Sequence, residues 1–192
     1  MKTLPTRWDL IRRLKGKRVL DIGGIGYCEV EPRLSLFRNA WAGLDRTTLD
    51  MSSRANIVCD LDKLPLPMFP VGFDIVTMFD CLEHLKHPAL VLEWIDCNEL
   101  WLNFPLATSF YTQYVESELY KLEMAKKIEN SFHLFGFKPI LTKPLLDKCG
   151  WTVSEFHYTF DYQSWKGKLL SHIAKCAPYF LCQGFFMRCL KK

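Results

Sequence analysis

Short runs of Val, Leu, Ile and Phe alternate along the chain with stretches in which apolar residues recur every three or four positions. The first pattern suits buried strands and the second amphipathic helices, so the alternation predicts an α/β fold around a mostly parallel sheet. A basic helix over 8–14 leads into a strand at 18–22, and a glycine-rich turn follows at 23–26. Pro32 suits the first turn of a helix ending near Arg38, because its missing N–H costs nothing there. Further strands are predicted at 41–44, ending on Asp45, and at 55–59, ending on Asp60. A nearly unbroken apolar run at 73–79 indicates a strand buried on both faces. A helix over 88–95 and a strand over 100–104, stopped by Pro105, come next. Residues 106–138 form a long connection with a Glu- and Lys-rich helical centre at 116–128. A helix over 139–149 closes at Gly150, and a strand follows at 152–160. The tail adds a helix over 165–177, with Trp165, Leu169, Ile173, Cys176 and Ala177 along one face, and a last strand at 185–190. No repeat or linker divides the chain. The expectation is one domain over 1–192, with a basic N-terminal helix at 1–18 and a basic amphipathic insertion at 161–180.

Composition adds limits rather than a function. The 192 residues are 49% hydrophobic and 24% charged, which is ordinary for a globular domain. No stretch approaches the ~18 uninterrupted apolar residues of a membrane span, and the basic start lacks the apolar core of a secretory signal. The eight cysteines, Cys28, Cys59, Cys81, Cys97, Cys149, Cys176, Cys182 and Cys189, form no CxxC pair and match no zinc spacing. They read as reduced, mostly structural thiols in a cytoplasmic protein, with no metal expected. The net charge of +4 is uneven: residues 1–18 carry +6, residues 161–192 carry +5, and 19–160 carry −7. Solvated surface is the ordinary reading, and an anionic partner such as a phosphate-bearing substrate or a lipid surface is the sharper one. Nucleic-acid-binding signatures are missing, so no nucleic-acid partner is expected.

Chemistry concentrates in Val19-Leu-Asp-Ile-Gly-Gly-Ile-Gly-Tyr27, where a strand enters a turn of three glycines before a helix. Such turns bring backbone close to a ligand, but they serve NAD, FAD and other adenosine ligands alike. Asp45, at the end of the predicted second strand, is placed to accept both hydroxyls of a ribose, or else to cap a helix.

Two further segments separate these families: Asn56-Ile-Val-Cys-Asp60-Leu-Asp-Lys-Leu-Pro-Leu-Pro67, and Gly72-Phe-Asp-Ile-Val-Thr-Met-Phe-Asp80-Cys-Leu-Glu-His84-Leu. Here the sequence resembles the class I S-adenosylmethionine-dependent methyltransferases, in particular the small type 11 group. The resemblance spans 18–160 and extends through His133-Leu-Phe and Leu145-Leu-Asp-Lys-Cys-Gly-Trp-Thr-Val153. It implies a Rossmann-like seven-stranded sheet with an antiparallel last strand and helices on both faces. The implied cofactor is S-adenosylmethionine, with S-adenosylhomocysteine as product. The backbone of Gly23, Gly24 and Gly26, with Ile22 before it, would pass its methionine part while Asp21 beneath supports the turn, Asp45 and Arg46 would hold its ribose, and Asp60 and Leu61 would read its adenine edge. Phe79 and Asp80 would lie near the transferable methyl. The family pattern D-x-G-x-G-x-G is altered here to Asp21-Ile-Gly-Gly-Ile-Gly-Tyr27.

Methyl transfer asks the protein mainly to align a nucleophile and at times to remove its proton. His84, after the fourth strand, is the candidate base, with an ordering role in its loop as the alternative. Tyr111 and His133 are candidates for the substrate side, while His87, His157 and His172 lack a supporting motif. The acceptor expected is an oxygen or nitrogen nucleophile on a small-molecule or glycan- or lipid-linked intermediate, anionic if the basic ends contact it. The 161–180 insertion is a candidate for peripheral membrane contact, although packing as a lid or dimer element is the commoner fate of such a helix. A methyltransferase-like scaffold without turnover and a nicotinamide-dependent oxidoreductase are the rival readings.

Overall fold

The computed structural model describes residues 4–25, 39–109, 134–161 and 165–192. The predicted helix at 32–38 and the helical centre at 116–128 lie outside the described residues, as do Gly26, Tyr111 and His133. The strands are β1 (Arg18–Ile22), β2 (Asp45–Asp50), β3 (Ile57–Val58), β4 (Ile75–Phe79), β5 (Glu99–Pro105), β6 (Trp151–Thr159) and β7 (Gly184–Lys191). Helices are α1 (Arg7–Arg12), α2 (Pro88–Trp94), α3 (Pro139–Lys148), α4 (Trp165–Ala174) and α5 (Pro178–Leu181).

The strands form one sheet in the order β3-β2-β1-β4-β5-β7-β6. The first five run parallel, and β7 is antiparallel to both β5 and β6. The predicted antiparallel last strand is therefore present, inserted between β5 and β6 rather than at the edge. β1 pairs with β2 on one side and β4 on the other, so the strand order reverses there. A reversal of this kind opens a crevice outside the carboxyl ends of the strands, where open α/β sheets bind ligands.

Alternation along the strands builds two cores. Leu20 and Ile22, Val76 and Met78, Leu100, Leu102 and Phe104 pack on one face with Val91 and Leu92 of α2 and Leu146 of α3. Val19, Ile75, Phe79, Trp101 and Phe186 pack on the other, against Trp8, Leu10 and Ile11 of α1. Helix α1 starts in a capping box: the Thr6 hydroxyl accepts from Asp9 N–H while the Asp9 carboxylate accepts from Thr6 N–H. The second face also carries a polar row, because Asp21 lies on the same side of β1 as Val19 and Thr77 on the same side of β4 as Ile75.

Two expectations are corrected. Residues 41–44 are not a strand. Trp41 is buried beside Phe79, Gly43 turns the chain at φ +75°, and pairing with β1 begins only at Asp45. The chain here turns at the amino end of the sheet before it extends. In the tail, helix α4 points Ser171 and Ala174 inward and leaves Leu169, Leu170 and Ile173 outside, with Cys176 exposed beyond it. Of the predicted apolar face, Leu169, Ile173 and Cys176 therefore lie on the outside. Among the described residues no helix is long and apolar enough to cross a membrane.

Gly184 opens β7 in the tightest part of the sheet. A Cβ there would stand 2.5 Å from the Phe104 carbonyl oxygen and 2.9 Å from the Thr159 hydroxyl. Backbone cannot yield as a flexible side chain does. Gly184→Ala is expected to destabilise the protein by about 1–3 kcal/mol, read from urea unfolding midpoints, whereas alanine at exposed Leu190 stays within about 0.5 kcal/mol.

Candidate functional site

The crevice is built around a buried acid. Asp21 is 3% exposed near the end of β1. One of its oxygens accepts from the Thr77 hydroxyl on β4 at 2.6 Å. The other accepts from Arg46 on β2, 2.8 Å from Nε and 2.6 Å from Nη2. Arg46 Nη2 also donates to the Gly24 carbonyl at 2.6 Å, and the guanidinium stacks 4.5 Å from the Trp41 ring. One carboxylate thus links three strands and, through Arg46, fixes the glycine turn. Gly23 takes φ +74°, and a Cβ on it would stand 2.5 Å from Cys81 Sγ, so both conformation and space call for glycine.

The acid beside this turn is Asp50, not Asp45. Asp45 pairs with Arg18 at the amino end of β2, at the opposite end of the strand from the crevice. The true β2 is Asp45–Asp50, so its carboxyl end falls five residues later than the sequence pattern suggests. There the Gly23 N–H donates to the Leu49 carbonyl at 2.8 Å. Asp50 Oδ2 accepts from Ile25 N–H at 3.2 Å and Oδ1 from Ser52 N–H at 2.9 Å. One strand further out, Asp60 follows β3 and accepts from Asp62 N–H at 3.0 Å, with Leu61 buried beside it.

On the other side of β1, β4 ends at Phe79 and Asp80. Asp80 has φ +50°, uncommon for a non-glycine residue, and bonds hold it there. Its N–H donates to the Asn103 carbonyl at 3.0 Å, and its Oδ1 accepts from Asn103 Nδ2 at 2.9 Å. Its other oxygen pairs with Arg7 of α1, which also pairs with Asp161 beyond β6. A single 3-10 turn, Leu82–His84, follows.

Glu83 in that turn is fully buried, and neither carboxylate oxygen has a hydrogen-bond partner among the described residues. Burial, and next the charge of Asp80, push its carboxyl well above the usual range, with its own backbone N–H and then Arg7 pulling in the opposite direction. The neighbouring Cys81 thiol is pushed up by burial and then by Glu83, Asp50, Asp21 and Asp80. Those four acids therefore lie around the Cys81 thiol. Among the described residues no group of three or more His, Cys, Asp or Glu is arranged to hold a metal.

Of the residues singled out from the sequence, Asp21, Gly23, Gly24, Arg46, Asp60, Leu61, Phe79, Asp80 and the half-buried His84 lie at or near the carboxyl ends of β1, β3 and β4, or reach there through Arg46. Ile22 points into the core on the far face. The sequence reading missed Asp50, Glu83, Arg7 and Asn103. Adjacent β-branched Thr47 and Thr48 before Leu49 were the available sign of β2.

No protein-family model matches the sequence, and neither does any curated protein. Solved structures do match. A S-adenosylmethionine-dependent methyltransferase from Mesorhizobium loti aligns with 96% of this chain and 97% of its own, at 13% identity and a TM-score of 0.59. The magnesium protoporphyrin IX methyltransferase of Synechocystis PCC 6803, with bound S-adenosylhomocysteine, aligns over 96% of this chain and 81% of its own, at 15% identity and a TM-score of 0.52. The 4+2 cyclase SpnF aligns over 96% and 80%, at 12% identity and a TM-score of 0.54. Sheet order, the antiparallel β7 and these alignments agree: the chain has the fold of the class I S-adenosylmethionine-dependent methyltransferases.

Proposed function

We propose that this chain is a S-adenosylmethionine-dependent methyltransferase acting on an oxygen or nitrogen nucleophile of a small-molecule or glycan- or lipid-linked acceptor. The observation that carries the reading is the pairing of the Gly23 turn with Asp50 at the switch point of the sheet. The strand order supports it further. Asp60 and the Leu61 backbone after β3 suit an adenine edge, Asp50 at the end of β2 suits the two ribose hydroxyls, and the acids after β4 suit a cationic amino-acid portion. An unpartnered buried carboxyl in that last place fits a positively charged group rather than a phosphate.

When bound, the cofactor supplies the electrophilic methyl group. The protein's part is to hold the acceptor in line with it, for which Tyr111 and His133 remain the proposed substrate-side residues. His84, in the turn after β4, is the proposed proton acceptor. A binding protein that has lost turnover is the second reading, favoured by one contact: the Arg46 guanidinium already occupies the Gly24 carbonyl.

Calorimetric titration separates the two. The wild-type protein is expected to bind S-adenosylmethionine, Asp50→Ala to weaken it at least ~10-fold, about 1.4 kcal/mol, and Asp45→Ala to leave it unchanged. Absence of binding by folded wild-type protein, or an effect of Asp45→Ala in place of Asp50→Ala, contradicts the assignment.

The outward apolar face of the tail supports peripheral contact with a membrane, where a lipid-linked acceptor would reside. Leu169, Leu170, Ile173 and, on α5, Phe180 are each at least half exposed, in a segment whose sequence carries +5 over 161–192. Full-length protein is expected to sediment with phosphatidylglycerol vesicles and Leu169→Ser/Ile173→Ser to remain in solution. Wild-type protein that stays in the supernatant removes this contact from the account.

A further inference from the structure

Each acid in the crevice except Glu83 has a described partner. Asp21 is matched by Arg46, Asp80 and Asp161 share Arg7, and Asp50 accepts two backbone N–H groups. Glu83 contributes its backbone carbonyl to the Leu134 and Phe135 N–H groups, which holds the turn in place, while its carboxyl oxygens meet no donor from any other described residue. A buried polar group left in this state costs on the order of 1–3 kcal/mol or more, and such groups in folded proteins call for an explanation. The charge balance sharpens the question. Among the described residues, four carboxyls there, those of Asp21, Asp50, Asp80 and Glu83, face the two guanidiniums of Arg7 and Arg46.

We propose that this crevice selects a ligand by its positive charge, with Glu83 as the specificity-determining group that meets the sulfonium-bearing portion of the cofactor. The inference rests on the methyltransferase reading for the identity of that cofactor. S-adenosylmethionine carries the sulfonium charge and S-adenosylhomocysteine lacks it, so the two differ at the centre this acid is placed to sense. In the free protein Glu83 keeps its proton, because burial and Asp80 both oppose its ionisation. Arrival of the cation favours the carboxylate, and the proton passes to the buffer. The same electrostatics weaken the hold on the neutral product after transfer.

The sign follows from proton linkage. Binding that releases a proton strengthens as pH rises, by at most ~10-fold per pH unit for one proton, until the acid is ionised in the free protein too. Titrations between about pH 5 and 6.5 keep the amino groups of both ligands protonated. Over that range S-adenosylmethionine affinity is expected to rise with pH while S-adenosylhomocysteine affinity stays level. Calorimetry in buffers of different ionisation heat reads the released proton directly, in the wild-type protein and without any variant.

Glu83→Gln keeps the shape of the protonated acid, so it is expected to bind S-adenosylhomocysteine normally and to lose the pH slope for S-adenosylmethionine. His84→Asn, at the adjacent imidazole, is expected to retain the slope. Parallel pH profiles for the two ligands, or a slope that survives Glu83→Gln, overturn the role of Glu83 while leaving the cofactor site intact. If neither ligand binds, the cofactor reading falls, and this inference falls with it.

Discussion

The site depends on keeping one carboxylate ionised inside the sheet. Asp21 is nearly inaccessible to water, and a lone buried charge costs several kcal/mol. Thr77 and Arg46 offset that cost from the two neighbouring strands. Since they reach Asp21 from β4 and β2, the requirement fixes the relative position of the three strands whose ends form the crevice. Arg46 extends the constraint by one bond to the Gly24 carbonyl, which ties the turn to the same cluster. Trp41 supplies the wall against which the guanidinium stacks. The altered glycine pattern is compatible with an ordered turn because the cluster, rather than the glycines alone, holds it.

Above this anchor the polar face of the sheet continues through Asn103 on β5, which joins Asp80 on one side and the Thr159 hydroxyl on the other, at 2.9 and 3.3 Å. Helix α1 contributes through Arg7, which crosses to Asp80 and Asp161. The basic N-terminal segment thus has a structural use: one of its arginines closes the crevice wall. Among the described residues partial neutralisation leaves the region acidic, and a ligand of mixed charge with a positive centre suits it better than a dinucleotide pyrophosphate. That argument runs against a nicotinamide cofactor on electrostatic grounds and is independent of strand order.

Much of the fold was legible because burial on both faces of a parallel sheet leaves apolar runs that polar helices separate. The runs at 73–79 and 100–104 lie over β4 and β5. β2 was not legible in that way. Its sequence, Asp-Arg-Thr-Thr-Leu-Asp, is polar, and its burial relies on bonds such as those between Thr48 and Asn56 that a hydrophobicity pattern does not register. The apolar residues just before it, Trp41 and Leu44, belong to the turn that covers the other core. That displacement is why the sequence pattern puts the end of β2 at Asp45 and the structure puts it at Asp50. For α4, spacing identified the stripe but not the side on which it lies. The Leu4 N–H donates to Ser171 Oγ at 3.2 Å, and the small Ala174 admits close packing. Nothing in the sequence marks Glu83 as unpartnered, because a missing partner is a property of the folded surroundings.

The central claim is that the crevice at the carboxyl ends of β3, β2, β1 and β4 takes an adenosine cofactor lengthwise. The most direct test is a crystal structure of the chain grown with S-adenosylhomocysteine. The account predicts adenine beside Asp60 and Leu61, the ribose hydroxyls on Asp50, and the amino-acid end toward Asp80 and Glu83. A ligand bound elsewhere, or in the reverse direction with its ribose on the β4 side, contradicts it.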